Sequence, residues 1–135
     1  MGTVVVGYVP KPEGEAALDR GIDEAKLRGA RIVVVNSHRG GQEFDGPAAV
    51  RSEKEMEGVK AKLEASGLTY DLRQLVRGFE PAEDLIGIAD DASAELIVIG
   101  LRRRSPVGKL VLGSNAQRIL LDAPCPVLAV KSPTR

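Results

Sequence analysis

Five short apolar runs punctuate the 135-residue chain: "TVVVGYV" (3–9), "RIVVVNS" (31–37), "YDLRQLV" (70–76), "ELIVIG" (95–100) and "PVLAVK" (126–131). Four are dense in Val and Ile without polar alternation, the pattern of strands covered on both faces. The third alternates, with Leu72 between Asp71 and Arg73, and predicts a strand near a sheet edge. Between the runs lie apolar stripes at helical spacing. Leu18, Ile22 and Ala25 form the first, closed by the glycine of "RGA" (28–30). Met56, Val59 and Leu63 form a second, ending at Ser66 and Gly67. Ala82, Leu85, Ile86 and Ala89 follow Pro81, a residue suited to a first helical turn. Ala116, Ile119 and Leu120 follow Ser114.

Strand and helix thus alternate as βαβαβαβαβ, which demands crossover connections and helices on both faces of a parallel sheet. The expected fold is α/β: a doubly wound five-stranded parallel sheet of strand order 3-2-1-4-5. The length suits one domain spanning 1–135 and is too short for two. Ligands of such sheets collect beyond the carboxyl ends of the strands, where strand order reverses. That directs attention to Tyr8 to Pro12, Ser37 to Arg39, Gly78 with Phe79, and Gly100 to Ser114.

Composition removes several functions. Nineteen basic residues balance nineteen acidic ones, so no global field gathers nucleic acid. Aromatic residues at 3% are too few for a base-stacking platform. One cysteine, Cys125, and one histidine, His38, leave no ligand set for a zinc site, and no metal is expected. No apolar run approaches the roughly 20 residues that span a bilayer. The opening "MGTVVVGYV" has no basic stretch ahead of its apolar run, so a cytoplasmic location is expected, with no membrane partner.

The loop "GLRRRSPVGKLVLGS" (100–114) leaves the fourth strand through a glycine and enters a helix at Gly113-Ser114. It is not a Walker A loop, because Gly108-Lys109 is followed by Leu110 and no glycine lies at the required distance before it. No G-x-G-x-x-G follows the first strand, and no base is placed to activate Ser105 or Ser114. What remains is a helix start, whose free N–H groups attract anions. Ser114 therefore reads either as a plain helix cap or as a phosphate ligand beside the amides of Asn115 and Ala116.

The stretch "AELIVIGLRRRSPVGKLVLGSNAQRILLDAPCPVLAVK" closely resembles the C-terminal third of the universal stress protein family. Gly100, Gly113 and Ser114 fall on that family's G-x2-G-x9-G-[ST] pattern, and "APCPVLAV" (123–130) on its closing strand. "GFEPAEDLIGIA" (78–89) looks like the family's turn and third helix, so the resemblance extends over essentially the whole chain. It implies the same doubly wound fold, an adenine nucleotide such as ATP, ADP or AMP bound between strands 1 and 4, and a homodimer. Two positions depart from the pattern. Arg103 replaces the second glycine, and its side chain either blocks the phosphate cradle or grips a phosphate through paired donors. Val9 stands where nucleotide-binding members carry an aspartate, so one hydrogen bond to base or ribose is expected to be missing.

The reading is a non-catalytic, cytoplasmic stress-response protein that binds an adenine nucleotide. Gly100 gives close approach, Gly113, Ser114, Asn115 and Ala116 hold phosphate, and Arg103 or Arg104 supplies charge. Ile99 and Ser37 line the base pocket by family position, with Tyr8 and Val9 at the end of strand 1. Tyr8 and Phe79 either sandwich the base or simply pack. The alternative is a dimeric adaptor whose site has degenerated at Val9 and Arg103. Its dimer would form through Val127 to Val130, an apolar last strand whose open edge calls for a partner. Cys125 reads as a small core hydrophobe and His38 as a surface residue.

Overall fold

The computed structural model describes residues 2–39, 47–77, 81–101 and 112–132, with backbone alone at 37–39, 47–52 and 76–77. In chain order the elements are β1 (Thr3–Gly7), α1 (Pro12–Arg28), β2 (Arg31–Arg39), α2 (Pro47–Ser66) and β3 (Tyr70–Arg77). There follow α3 (Pro81–Asp91), β4 (Leu96–Leu101), α4 (Ser114–Asp122) and β5 (Val127–Lys131). The five strands form one parallel sheet of order β3-β2-β1-β4-β5, as the sequence predicts. Strand order reverses between β1 and its two neighbours, β2 and β4. The carboxyl end of β1 is therefore the switch point.

β1 explains why the core has two halves. Val4, Val5 and Val6 are fully buried, yet successive side chains of a strand point to opposite faces. Val4 and Val6 pack with Ile32, Val34 and the inner sides of α1 and α2, including Leu18 and Leu63. Val5 packs with Val33, Val35 and Ile97 against α3 and α4. The Val/Ile runs lack alternation because both faces are dry. On the edge strand β3, Leu72 joins the first half and Leu75 the second, while Asp71 and Arg73 pair with each other at 2.8 Å.

Helix ends follow local chemistry. α1 opens with Pro12 in its first turn, carries Glu13 and Glu15 there, and ends in Lys26 and Arg28. That charge order suits the helix dipole. Gly29 then turns left-handed at φ 61°, letting the Ala30 amide reach the Ala25 carbonyl at 2.9 Å. α2 stops the same way at Gly67 (φ 76°).

Two expectations need correction. The first apolar run does not remain strand to Val9: β1 ends at Gly7, with one more ladder bond from the Tyr8 amide to the Val35 carbonyl at 2.9 Å, and Pro10, at the next position facing β2, has no donor to continue it. In α4 only Ile119 of the predicted stripe is buried; Ala116 is half-buried and Leu120 is 40% exposed. Ile119 and, three residues before it, Ala116 face the α3/α4 half of the core, and Leu120, about 100° farther round the helix, falls off that line.

Leu18 and Leu27 offer a matched test on one helix, the first fully buried and the second 81% exposed. Leu18→Ala is expected to cost about 2–5 kcal/mol in urea unfolding. Leu27→Ala should change stability by no more than about 0.5 kcal/mol.

Candidate functional site

Beyond the ends of β1 and β4 the two faces of the sheet separate around an open cleft. Its empty space, including solvent at the mouth, is about 690 Å³. Gly7, Tyr8 and Val9 supply one side, and Ile99 with Gly100 the floor. Val35, Pro81, Ala82 and Leu85 form an apolar wall; Asn115, Ala116 and Ile119 of α4 close the other side. None of these described lining residues is a carboxylate, so nothing in them repels an anion.

Backbone packing fixes the floor. A Cβ placed on Gly100 would overlap the carbonyl oxygen of Glu13, and one on Gly14 would overlap that of Val9. The first turn of α1 therefore lies directly against both the end of β4 and the turn that follows β1. The Lys11 amide donates to the Val9 carbonyl at 2.8 Å and the Gly14 amide to the Lys11 carbonyl at 2.9 Å, closing this turn on itself.

At the rim, Gly113 is the cap of α4, extended at φ −74° and ψ 169°, with no side chain bonded to the helix end. Ser114 is the first helical residue and exposed, so of its two expected roles that of side-chain cap is not met: the cap position falls on Gly113, which has no side chain. The first intrahelical bond is that of the Gln117 amide to the Gly113 carbonyl at 3.0 Å. The amides of Ser114, Asn115 and Ala116 precede it and have no partner within the helix. Asn115 and Ala116 are half-buried and line the cleft. A helix start of this kind favours negative charge.

Polar wiring sits behind the cleft. The Tyr8 hydroxyl donates to Glu15 Oε2 at 2.5 Å. Lys62 Nζ of α2 donates to Glu15 Oε1 and Asp19 Oδ1, both at 3.0 Å. Burial, and then the bond to ionised Glu15, raise the Tyr8 phenol well above its ordinary range. For Glu15, burial works to raise the carboxyl, but hydrogen bonds from Tyr8 and Lys62 and the Lys62 charge leave it lowered on balance. On the outer side, Arg118 Nη1 of α4 reaches Glu83 Oε1 of α3 at 2.7 Å, tying together the helices on either side of the cleft.

Of the residues singled out by sequence, Tyr8, Val9, Ile99, Gly100, Asn115 and Ala116 meet at this cleft. Tyr8 does so without offering its ring to a base: the side chain is 3% exposed and packs in the α1/α2 half of the core. Val9 is 40% exposed. Gly113 and Ser114 stand at the start of α4, exposed. Ser37 and His38 lie on β2, described in backbone only, while Arg103, Arg104 and Phe79 lie outside the described residues. Cys125 is half-buried against the α3/α4 half of the core, and burial raises its thiol. Sequence reading did not assign Val35, Pro81, Ala82, Leu85 or Ile119 to the site, nor Glu15 and Lys62 to Tyr8. Val35, Ala82, Leu85 and Ile119 were legible only as positions in apolar runs and stripes, and Pro81 only as the first turn of a helix.

The sequence matches the profile of the Universal stress protein family over residues 1–131. A universal stress protein from Mycolicibacterium smegmatis is 47% identical over 128 residues, which cover 95% of this chain and 96% of the relative. The universal stress protein from Archaeoglobus fulgidus has a structure similar at TM-score 0.82 and 34% identity, covering 97% of this chain and 99% of that one. The structure of the universal stress protein from the same organism in complex with dAMP gives TM-score 0.76 at 29% identity, over 97% of this chain and 98% of that one.

The two site glycines should respond differently to a methyl group. Gly100→Ala forces backbone against side chain and is expected to cost about 1–3 kcal/mol in thermal or chemical unfolding. At Gly113 a Cβ meets no described atom within 4 Å and φ is ordinary, so Gly113→Ala should shift stability by about 0.5 kcal/mol or less.

Proposed function

The chain belongs to the universal stress protein family, and on that premise we propose that the cleft at the ends of β1 and β4 binds an adenine nucleotide. The observation that carries this reading is the pairing of an apolar chamber with a helix start at its side. Val35, Leu85 and Ile99 offer contact for a flat base, and the free amides of Ser114, Asn115 and Ala116 offer donors for phosphate. The Archaeoglobus fulgidus relative in complex with dAMP, 29% identical over nearly the whole chain, supports the ligand class. Ser37 would adjoin the base by its place on β2, and Arg103 or Arg104 would bring charge to the phosphates.

The protein acts, in this reading, as a cytoplasmic stress-response binder and not as a catalyst. No described lining residue is poised as a base or nucleophile, since the one hydroxyl among them, that of Tyr8, is spent on Glu15. Among the described residues β5 pairs on one side only, with β4. Its free edge, Val127 to Val130, would join that of a second copy. The Ser132 amide bonds the Leu101 carbonyl at 2.9 Å, so by strand alternation the amides of Val127 and Ala129 point outward.

Titration calorimetry with AMP, dAMP and ATP at millimolar ligand tests the first claim. AMP is expected to bind, and Val9→Asp to tighten it by about 3–10-fold, the worth of one added hydrogen bond. No heat with any of the three would favour the adaptor reading. For the second claim, Ala129→Pro removes an outward donor while sparing the ladder to β4. Light scattering should then report a monomer where the parent protein is a dimer, with an unchanged far-UV spectrum.

A further inference from the structure

We propose that Tyr8 is a positioning residue for the nucleotide cleft: its bond to Glu15, itself held by Lys62, sets the turn from Val9 to Lys11, whose first residue, Val9, lines the site. This rests on the nucleotide reading above and adds to it a residue that touches no ligand with its side chain.

The backbone of Tyr8 borders the cleft, and its amide extends the β1 ladder to the Val35 carbonyl at 2.9 Å. Its side chain leaves through the opposite face of the sheet into the α1/α2 core. The hydroxyl meets Glu15 at 2.5 Å, one residue beyond Gly14, which is pressed against the Val9 carbonyl. The turn is thus fastened from both sides: backbone against backbone at Val9 and Gly14, side chain to side chain at Tyr8 and Glu15. Backbone bonds within the turn hold its local shape, and the Tyr8–Glu15 bond adds a side-chain link between the end of β1 and the first turn of α1. Lys62 extends the fastening to α2 by holding the second oxygen of Glu15, with Asp19 sharing its ammonium group.

A phenol that only fills space has no need of this arrangement. Tyr8 is 3% exposed, and its hydroxyl would lose water without gain if Glu15 did not accept from it. The charged and titratable groups around the Tyr8–Glu15 pair are Lys62 from α2, Asp19 from α1 itself, which shares the Lys62 ammonium, and Glu55 from α2, which acts on the phenol. Lys62 holds the carboxylate, and Glu55 adds negative potential near the phenol. Glu15 titrates below its ordinary value, so the fastening is complete at neutral pH. It is lost as pH falls through that lowered value.

The test compares the parent protein with Tyr8→Phe, Glu15→Gln and the double variant, using AMP as probe. Affinities come from calorimetry at pH 4 to 8, and amide hydrogen exchange follows Val9 and Lys11. Tyr8→Phe should weaken AMP binding about 3–10-fold at pH 7, speed exchange at these two amides, and leave the global unfolding midpoint nearly in place. Glu15→Gln should do the same, and the double variant should be no worse than either single one. The parent should lose affinity in acid more steeply than Tyr8→Phe; titration of the AMP phosphate is common to both and drops out of the comparison. AMP bound with parental affinity and pH profile by Tyr8→Phe, or additive losses in the double variant, would overturn the positioning role while leaving the nucleotide reading intact. Failure of the parent itself to bind AMP would overturn the nucleotide reading.

Discussion

Two missing side chains let backbone meet backbone where the sheet joins its first helix. At Gly100 the carbonyl of Glu13 occupies the space of a Cβ, and at Gly14 the carbonyl of Val9 does. The start of α1 can therefore sit down between the ends of β1 and β4. If either glycine carried a methyl group, the helix would be pushed outward and the cleft floor with it. Packed interiors absorb such a shift poorly, because neighbouring side chains already fill the available volume. Gly21 repeats the device farther along α1, where a Cβ would overlap a methyl group of Val6. One helix is thus seated closely on the central strand along its length.

The seating explains how Gly100 should be understood. By resemblance it is a glycine of a nucleotide motif, which suggests a residue kept small for a phosphate. The structure gives it a second, sufficient reason in the Glu13 carbonyl. Gly113 is different: its φ is accessible to any residue and its surroundings are open among the described residues. Of the two motif glycines, only the one at the β4 end is required by packing. The free amides at the start of α4 depend on helix geometry and not on the absence of a side chain at position 113.

The fold was legible because its signals are long and repeated. Four Val/Ile runs, one alternating run and four helical stripes leave few ways to arrange the chain, and the strand order follows once the crossovers change face a single time, after β3. The edge position of β3 was visible in Asp71 and Arg73 flanking Leu72. The site was legible only in part. Residues at strand ends could be named from topology, but the wall of Ala82 and Leu85 looked like ordinary core, since the face of α3 that packs on the sheet also reaches the cleft. Tyr8 was ambiguous for a physical reason. Alternation with Val4 and Val6 sends its side chain to the α1/α2 face, where it can fill space or make a bond. Had the strand continued to Val9, the parity would be the same; what sequence did not reveal was Glu15, seven residues on, waiting as acceptor.

Charge is distributed so that the described lining of the cleft carries no acid while its supports are rich in them. Glu13 and Glu15 sit in the first turn of α1, where the helix dipole favours them, and Glu15 is further matched by Lys62. Glu83, in the first turn of α3, is engaged by Arg118 of α4 at 2.7 Å. These pairs are well exposed, so each contributes little to stability by itself. Their consequence is local. Carboxylates near an anion site would oppose phosphate if left unpaired, and pairing with Lys62 and Arg118 mutes that repulsion at short range while salt screens the remainder. On the nucleotide reading proposed above, a phosphate at the start of α4 would meet little competing field from these paired acids, even in a protein whose formal charge is zero. Net charge says nothing about such a site; the arrangement of paired acids around free amides does.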